Sequence, residues 1–139
     1  MQSDKFTALV RNAIGAAQSA ALAANHQKLT AEHVLAALLK DDNMTVKMLL
    51  AKAGADSASL SALLKAGLDK FPQVTGSGAG QLQLDADLAR IFASVEAEAK
   101  ARHDQFIAVD LLLLAMTKST GSVGRILKKA GVEPAPLGA

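Results

Sequence analysis

The chain has 139 residues, half of them hydrophobic, a formal net charge of +2 and no cysteine. That length and apolar content support one packed domain and exclude wholesale disorder, while the missing thiol excludes disulfides and thiolate chemistry. Fifteen basic residues interspersed with thirteen acidic ones form no basic run of the kind that tracks nucleic acid. Ala is abundant and β-branched residues are scarce. With four Phe and no Trp or Tyr, the composition calls for helices around a Leu/Ala core. Met1 to Asp4 lead straight into an amphipathic pattern without the flanks of a signal peptide. The longest apolar stretch, Leu111 to Met116, is too short to cross a bilayer, so a soluble, cytoplasmic chain is expected.

Apolar residues at Phe6, Leu9, Val10, Ala13, Ile14, Ala17 and Ala21 predict a first helix over roughly residues 4–24, capped by Ser3 or Asp4. Thr30 caps a second helix from Ala31 to about Lys40, with Glu32 in its first turn. Asp41, Asp42 and Asn43 break the pattern and supply the next cap. A short third helix then carries Val46, Leu49, Leu50 and Ala53 and stops at Gly54. Asp56 caps a fourth helix with Leu60, Leu63, Leu64 and Leu68. Pro72 to Gly80 reads as an exposed connector. Asp85 caps a fifth helix with Leu88, Ile91, Phe92, Val95 and Ala99 inward. The sixth starts near Val109, where Leu111 to Leu114 in succession implies burial on nearly every side. The seventh runs from Ser122 to Ala130 and is closed by Gly131.

These elements pass twice through one pattern. Leu29–Leu38 aligns with Ile107–Met116, pairing Glu32 with Asp110, Leu35 with Leu113 and Leu38 with Met116. After a one-residue gap, Leu49–Gly54 aligns with Ile126–Gly131. The expected fold is therefore all-α: a duplicated four-helix repeat forming a pseudo-twofold, two-lobed domain. Repeat one covers about 1–71, the connector about 72–84 and repeat two about 85–139. The second copy reaches Pro134 with almost nothing left for its fourth helix. The expectation is a piece of a longer protein.

Specific catalytic signatures are missing from the sequence. No Gly-x-x-x-x-Gly-Lys-Ser/Thr loop occurs, since Gly76, Gly78 and Gly80 lack the lysine. His26, His33 and His103 lack the i, i+4 spacing of a zinc helix, so no metal site is expected and His33 reads as a surface or capping residue. No Gly-x-Ser-x-Gly elbow appears, and Asp85, Asp87, Glu96 and Glu98 read as ordinary caps and a solvated face. Binding, rather than catalysis, is the function these residues allow.

The duplicated signature carries a resemblance. Thr7 in Lys-Phe-Thr, the Asn25-His26-Gln27 loop and Glu32-His33-Val34-Leu35 resemble the Clp amino-terminal repeat domain, over essentially the whole chain. Phe71-Pro72-Gln73-Val74-x-Gly76 and Asp104-Gln105-Phe106-Ile107 look like its ClpB disaggregase branch. The resemblance implies a stress-response module that captures unfolded or aggregated polypeptide for an ATP- and magnesium-dependent threading ring. It also implies a hexameric parent working with a DnaK-type chaperone. The alternative is an adaptor-docking domain of a protease-coupled ClpA/ClpC-type unfoldase. Carried over by motif, the substrate-binding residues are Thr7, Phe92, Asp104, Asp110 and Leu111. Two departures from the family pattern bear on that set. Asp110 stands where Glu is common, and Ser94 and Glu98 occupy fifth-helix positions that are apolar in some relatives, which narrows any groove there. The resemblance places hexamer contacts in the ATPase modules, so this chain should be monomeric. Light scattering at the monomer mass is the expected result, and a stable higher oligomer would contradict it.

Overall fold

A computed structural model describes residues 6–40, 44–71, 82–102 and 108–133. These residues form α1 (Ala8–Ala23), β1 (Lys28–Leu29), α2 (Ala31–Lys40), α3 (Met44–Lys52), α4 (Ser57–Asp69), β2 (Gln83–Leu84), α5 (Ala86–Ala101), α6 (Val109–Thr117) and α7 (Ser122–Lys129). The expected caps at Ser3 or Asp4 and at Asp41–Asn43, the Pro72–Gly80 connector, Asp104 and the segment from Pro134 lie outside the described residues.

The all-α fold follows from the helical periodicity. Val10, Ala13, Ala17 and Ala21 make the buried stripe of α1. Leu88, Ile91, Phe92, Val95 and Ala99 do the same on α5, and α6 buries Leu111 through Leu114 together with Met116. α1 packs on α2 and α5 on α6, while α2 meets α4, α4 meets α7 and α3 meets α6. Each fully buried Leu contributes about 1.5–3 kcal/mol of apolar burial. Asp56 and Asp85 cap α4 and α5 as expected, accepting from the Ala58 and Asp87 amides at 3.2 and 3.1 Å.

The first helix starts later than its periodicity suggests. Its N-cap is Thr7, extended at φ −64° and ψ 163°, and the Thr7 hydroxyl makes no capping bond. Phe6 matches the helical spacing yet is buried from the extended segment ahead of the helix, its ring centroid 5.5 Å from that of Phe92. Apolar spacing reports which side faces the core, and an extended residue can satisfy it too. The two strands were not expected. Lys28 pairs with Gln83 and Leu29 with Leu84 in parallel register, and two residues are too few to show an alternating pattern.

The duplication is visible in the backbone. In α3, the Gly54 amide donates to the Ala51 carbonyl and the Ala55 amide to that of Leu50, at 3.0 and 2.9 Å. In α7, the Gly131 amide donates to Lys128 and the Val132 amide to Leu127, both at 3.0 Å. Both helices thus end in the same Schellman turn, with glycine left-handed at φ 92° and 90°. The two turns then meet. The Asp56 amide donates to the Ala130 carbonyl at 3.0 Å, and the Glu133 amide to the Ala53 carbonyl at 2.8 Å. A Cβ on either glycine would lie 3.0 Å from the other's carbonyl oxygen.

The buried polar residues Thr30, Glu32 and His33 cluster at the start of α2. The His33 amide donates to the Thr30 hydroxyl at 3.4 Å, and the Thr30 amide donates back to His33 Nδ1 at 3.1 Å. This is a reciprocal capping box with His in the place usual for Glu or Gln. Because Nδ1 accepts, the proton of neutral His33 sits on Nε2, which donates to His26 Nδ1 at 2.8 Å. The Phe71 ring lies 5.5–5.6 Å from both imidazoles. The capping expectation for His33 therefore holds, and the surface one is corrected: the ring is 4% exposed. Thr-x-x-His was the available signal. Burial, and secondarily the neighbouring His26, lower the His33 pKa from 6.5 to about 4. Glu32 is shifted upward, mainly by burial and also by Asp85 and Asp87, against the hydrogen bond that Ser122 donates at 3.0 Å.

Two outcomes are expected. Gly54→Ala and Gly131→Ala should each destabilise by about 1–3 kcal/mol in urea denaturation, because each forces a side chain onto left-handed backbone and against the opposite carbonyl. A neutral effect at both would contradict the back-to-back join. Between pH 6.5 and about 4 the unfolded chain holds the His33 proton that the folded chain refuses. Stability contributed there is complete above pH 6.5 and lost as pH falls, by up to about 3 kcal/mol. Glu32 offsets part of that loss, since its burial penalty fades as pH falls through its raised pKa. Denaturation midpoints measured across this window should decline, and His33→Gln should flatten the slope.

Candidate functional site

α5 and α6 lie side by side, and the seam between them is a shallow groove of about 30 Å³. Val95, Leu111 and Leu114 supply its buried floor, Ala115 its half-buried edge, and Ser94, Glu98 and Lys118 its exposed rim. The floor follows from sequence spacing. Leu111, Leu114, Ala115 and Lys118 stand at i, i+3, i+4 and i+7 of α6, one face of a helix. Glu98 is held by Arg102, whose Nε donates to Oε1 at 3.0 Å. The seam thus sets a rim with charges of both signs over a buried apolar floor.

The carried-over residues occupy different parts of this region. Asp110 is exposed in the first turn of α6, where its carboxylate favours the helix dipole and accepts from the Leu111 amide at 2.9 Å. Leu111 is 6% exposed and presents only an edge to the groove. Phe92 is 2% exposed, so it supports α5 from within the core and offers a partner almost no surface. Thr7 is half-buried at the start of α1, directly after the Phe6 whose ring packs on Phe92. Through those two rings the start of α1 is fastened to α5. Asp104 lies outside the described residues. Spacing alone would have added Val95, Leu114 and Lys118, which the motif comparison did not single out.

The paired acids of the two repeats have diverged. Glu32 is buried and accepts from Ser122 of α7, whereas Asp110 faces solvent. Asp87 departs from the solvated role expected of it: half-buried, it accepts from the Ser119 hydroxyl at 3.1 Å, and that hydroxyl accepts from the Gly121 amide at 3.0 Å. It helps tie the α6–α7 turn to α5. Two further recesses border the lobes, one of about 250 Å³ beside His26, Thr30 and Phe71 and one of about 330 Å³ between α4 and α7. Among the described residues no group of three or more His, Asp or Glu side chains is arranged to hold a metal ion. No helix among them is long and apolar enough to cross a membrane.

Comparison with known proteins assigns this architecture. The family described as the Clp repeat (R) N-terminal domain matches residues 5–130. The chaperone protein ClpB of Rhizobium meliloti is 40% identical over 138 residues, which is 99% of this chain and 16% of that protein. Among solved structures, the Hsp104 N-terminal domain from Candida albicans superposes with a TM-score of 0.81 at 20% identity, covering 96% of this chain and 86% of that one. A ClpV N-domain in complex with a VipB peptide gives 0.75 at 16% identity, covering 96% and 82%. The chain therefore spans about a sixth of the ClpB relative's length. Matched over nearly its whole length, it belongs to the Clp repeat N-terminal domain family.

Proposed function

We propose that this chain is the client-binding N-terminal domain of a ClpB-type disaggregase, taking up unfolded or aggregated polypeptide in the cytoplasm. The observation that carries the reading is the α5–α6 seam. It is a small, shallow groove whose aliphatic floor of Val95, Leu111 and Leu114 is almost wholly buried, with Ser94, Glu98 and Lys118 at its rim and the exposed Asp110 next to Leu111 in the chain. Modest, non-directional apolar contact at the floor's edge, with registration from the rim charges, suits a client without fixed sequence. The ClpV N-domain seen with a VipB peptide supports a peptide-binding use of this fold. The sequence holds no phosphate-binding Gly-Lys loop. ATP, magnesium, the hexameric ring and a DnaK-type partner would thus be matters for other modules of the parent.

The strip is small and an extended client loses entropy on ordering, so binding is expected to be weak. A permanently unfolded, reduced and carboxymethylated protein should bind with micromolar or weaker affinity, about −8 kcal/mol or less favourable. NMR titration should move the amides of Thr7, Asp110 and Leu111 together with those of α5. Asp110→Lys, at an exposed position, should weaken binding by about threefold to tenfold, at a stability cost of about 1–2 kcal/mol from the reversed helix-dipole interaction that leaves the domain folded. Shifts that leave α5 and α6 untouched would remove the assignment. Binding of one folded adaptor in a defined ratio, with none of unfolded protein, would replace client capture by adaptor docking.

A further inference from the structure

We propose that the cleft between α4 and α7 is a second docking site, which takes a short acidic amphipathic segment of another protein. The cleft has a volume of about 330 Å³ and lies open between the two helices. Leu63 and Ala66 of α4, Ile126 of α7 and Phe71 line it with apolar surface, and Glu32 with its Ser122 partner lies beneath. Leu63, Ile126 and Phe71 are only half-buried, so part of this lining faces solvent.

The rim carries the information about the occupant. Lys70, Arg125 and Lys129 surround the cleft, and all three are exposed. Among the described residues the ion pairs are Arg90 with Asp87 and Arg102 with Glu98, and neither involves a rim cation. Three cations thus converge on one apolar recess in a chain whose formal net charge is only +2. Glu32, in the same recess, offsets one of these cations at most, so the rim keeps a net positive charge. Complementarity requires aliphatic side chains directed at Leu63 and Ile126, flanked by carboxylates that reach the three cations. An acidic helix or extended segment meets that requirement. A single-stranded nucleic acid fits less well, since it binds through stacking on exposed aromatic faces and this floor is chiefly aliphatic.

This site is separate from the α5–α6 seam and shares no lining residue with it. The test uses the whole chain and a fluorescein-labelled peptide of repeated Glu-Leu-Leu-Glu units, followed by fluorescence anisotropy at about 0.15 M salt, where charges distant from the cleft are screened. Combined Lys70→Glu, Arg125→Glu and Lys129→Glu should weaken binding on the order of tenfold or more. Leu63→Ala with Ile126→Ala should also weaken it, while reversal of the exposed Arg11, Lys47 and Lys100 should change it by less than about twofold. Circular dichroism checks that every variant keeps its helices. Equal weakening by the control reversals, or tighter binding of oligothymidylate than of the peptide, would overturn the proposal. Asp110→Lys should leave this peptide's affinity unchanged, so the α4–α7 site and the client-binding seam fail separately.

Discussion

The contact on which the rest of this domain depends is the back-to-back meeting of two helix ends at Gly54 and Gly131. Each end closes α3 or α7 with a Schellman turn, and each turn gives one amide and one carbonyl to the other. A single such hydrogen bond has a net worth of only about 0.5–1.5 kcal/mol. Its consequence is geometric: the backbones approach so closely that any side chain at either glycine meets a carbonyl. Fixing these two turns fixes where α4 departs and how α7 lies beside it. It also helps set how α2 and α6, the most buried helices of the two repeats, share the interior.

Symmetry at that join has not kept the surfaces alike. Leu35 and Leu113 are equally inaccessible, as are Leu38 and Met116, because both repeats must fill the same core. The acids at Glu32 and Asp110 are free of that demand and have separated. Glu32 has moved into a hydrogen-bonded position against α7, and Asp110 stays in water beside the α5–α6 seam. One repeat thus turns its acid to internal fastening, while the other leaves it available to a partner. The same divergence leaves cations on the α4–α7 side and mixed charges on the α5–α6 side, which is why we assign the two faces different occupants.

Much of the fold was legible in the sequence because burial in helices is periodic and helix ends need particular residues. The glycine stops at Gly54 and Gly131, the caps at Thr30, Asp56 and Asp85, and the Leu111–Leu114 run all turned out as their chemistry required. The start of α1 was misread because Phe6 meets the helical period from an extended segment. The parallel pairing of Lys28–Leu29 with Gln83–Leu84 was invisible because two residues carry no period. The buried state of His33 was missed because a polar residue in a first turn is ordinarily solvated. Only the Thr-x-x-His spacing hints at the reciprocal cap. Of the candidate site, the sequence indicated α6 and its acid. Which leucines form a floor and which cations converge depend on how helices distant in the chain pack together.

On the proposed reading, this chain is a recognition module with a small, weak surface on α5 and α6. Weakness is consistent with its proposed task, since a client held tightly by apolar contacts would not be released onward. The most direct measurement is site-specific photo-crosslinking to an unfolded client, with the probe placed either at exposed position 110 on α6 or at exposed position 18 on α1. The account predicts capture from position 110 and little from position 18. Equal capture from both, or capture from position 18 alone, would contradict it.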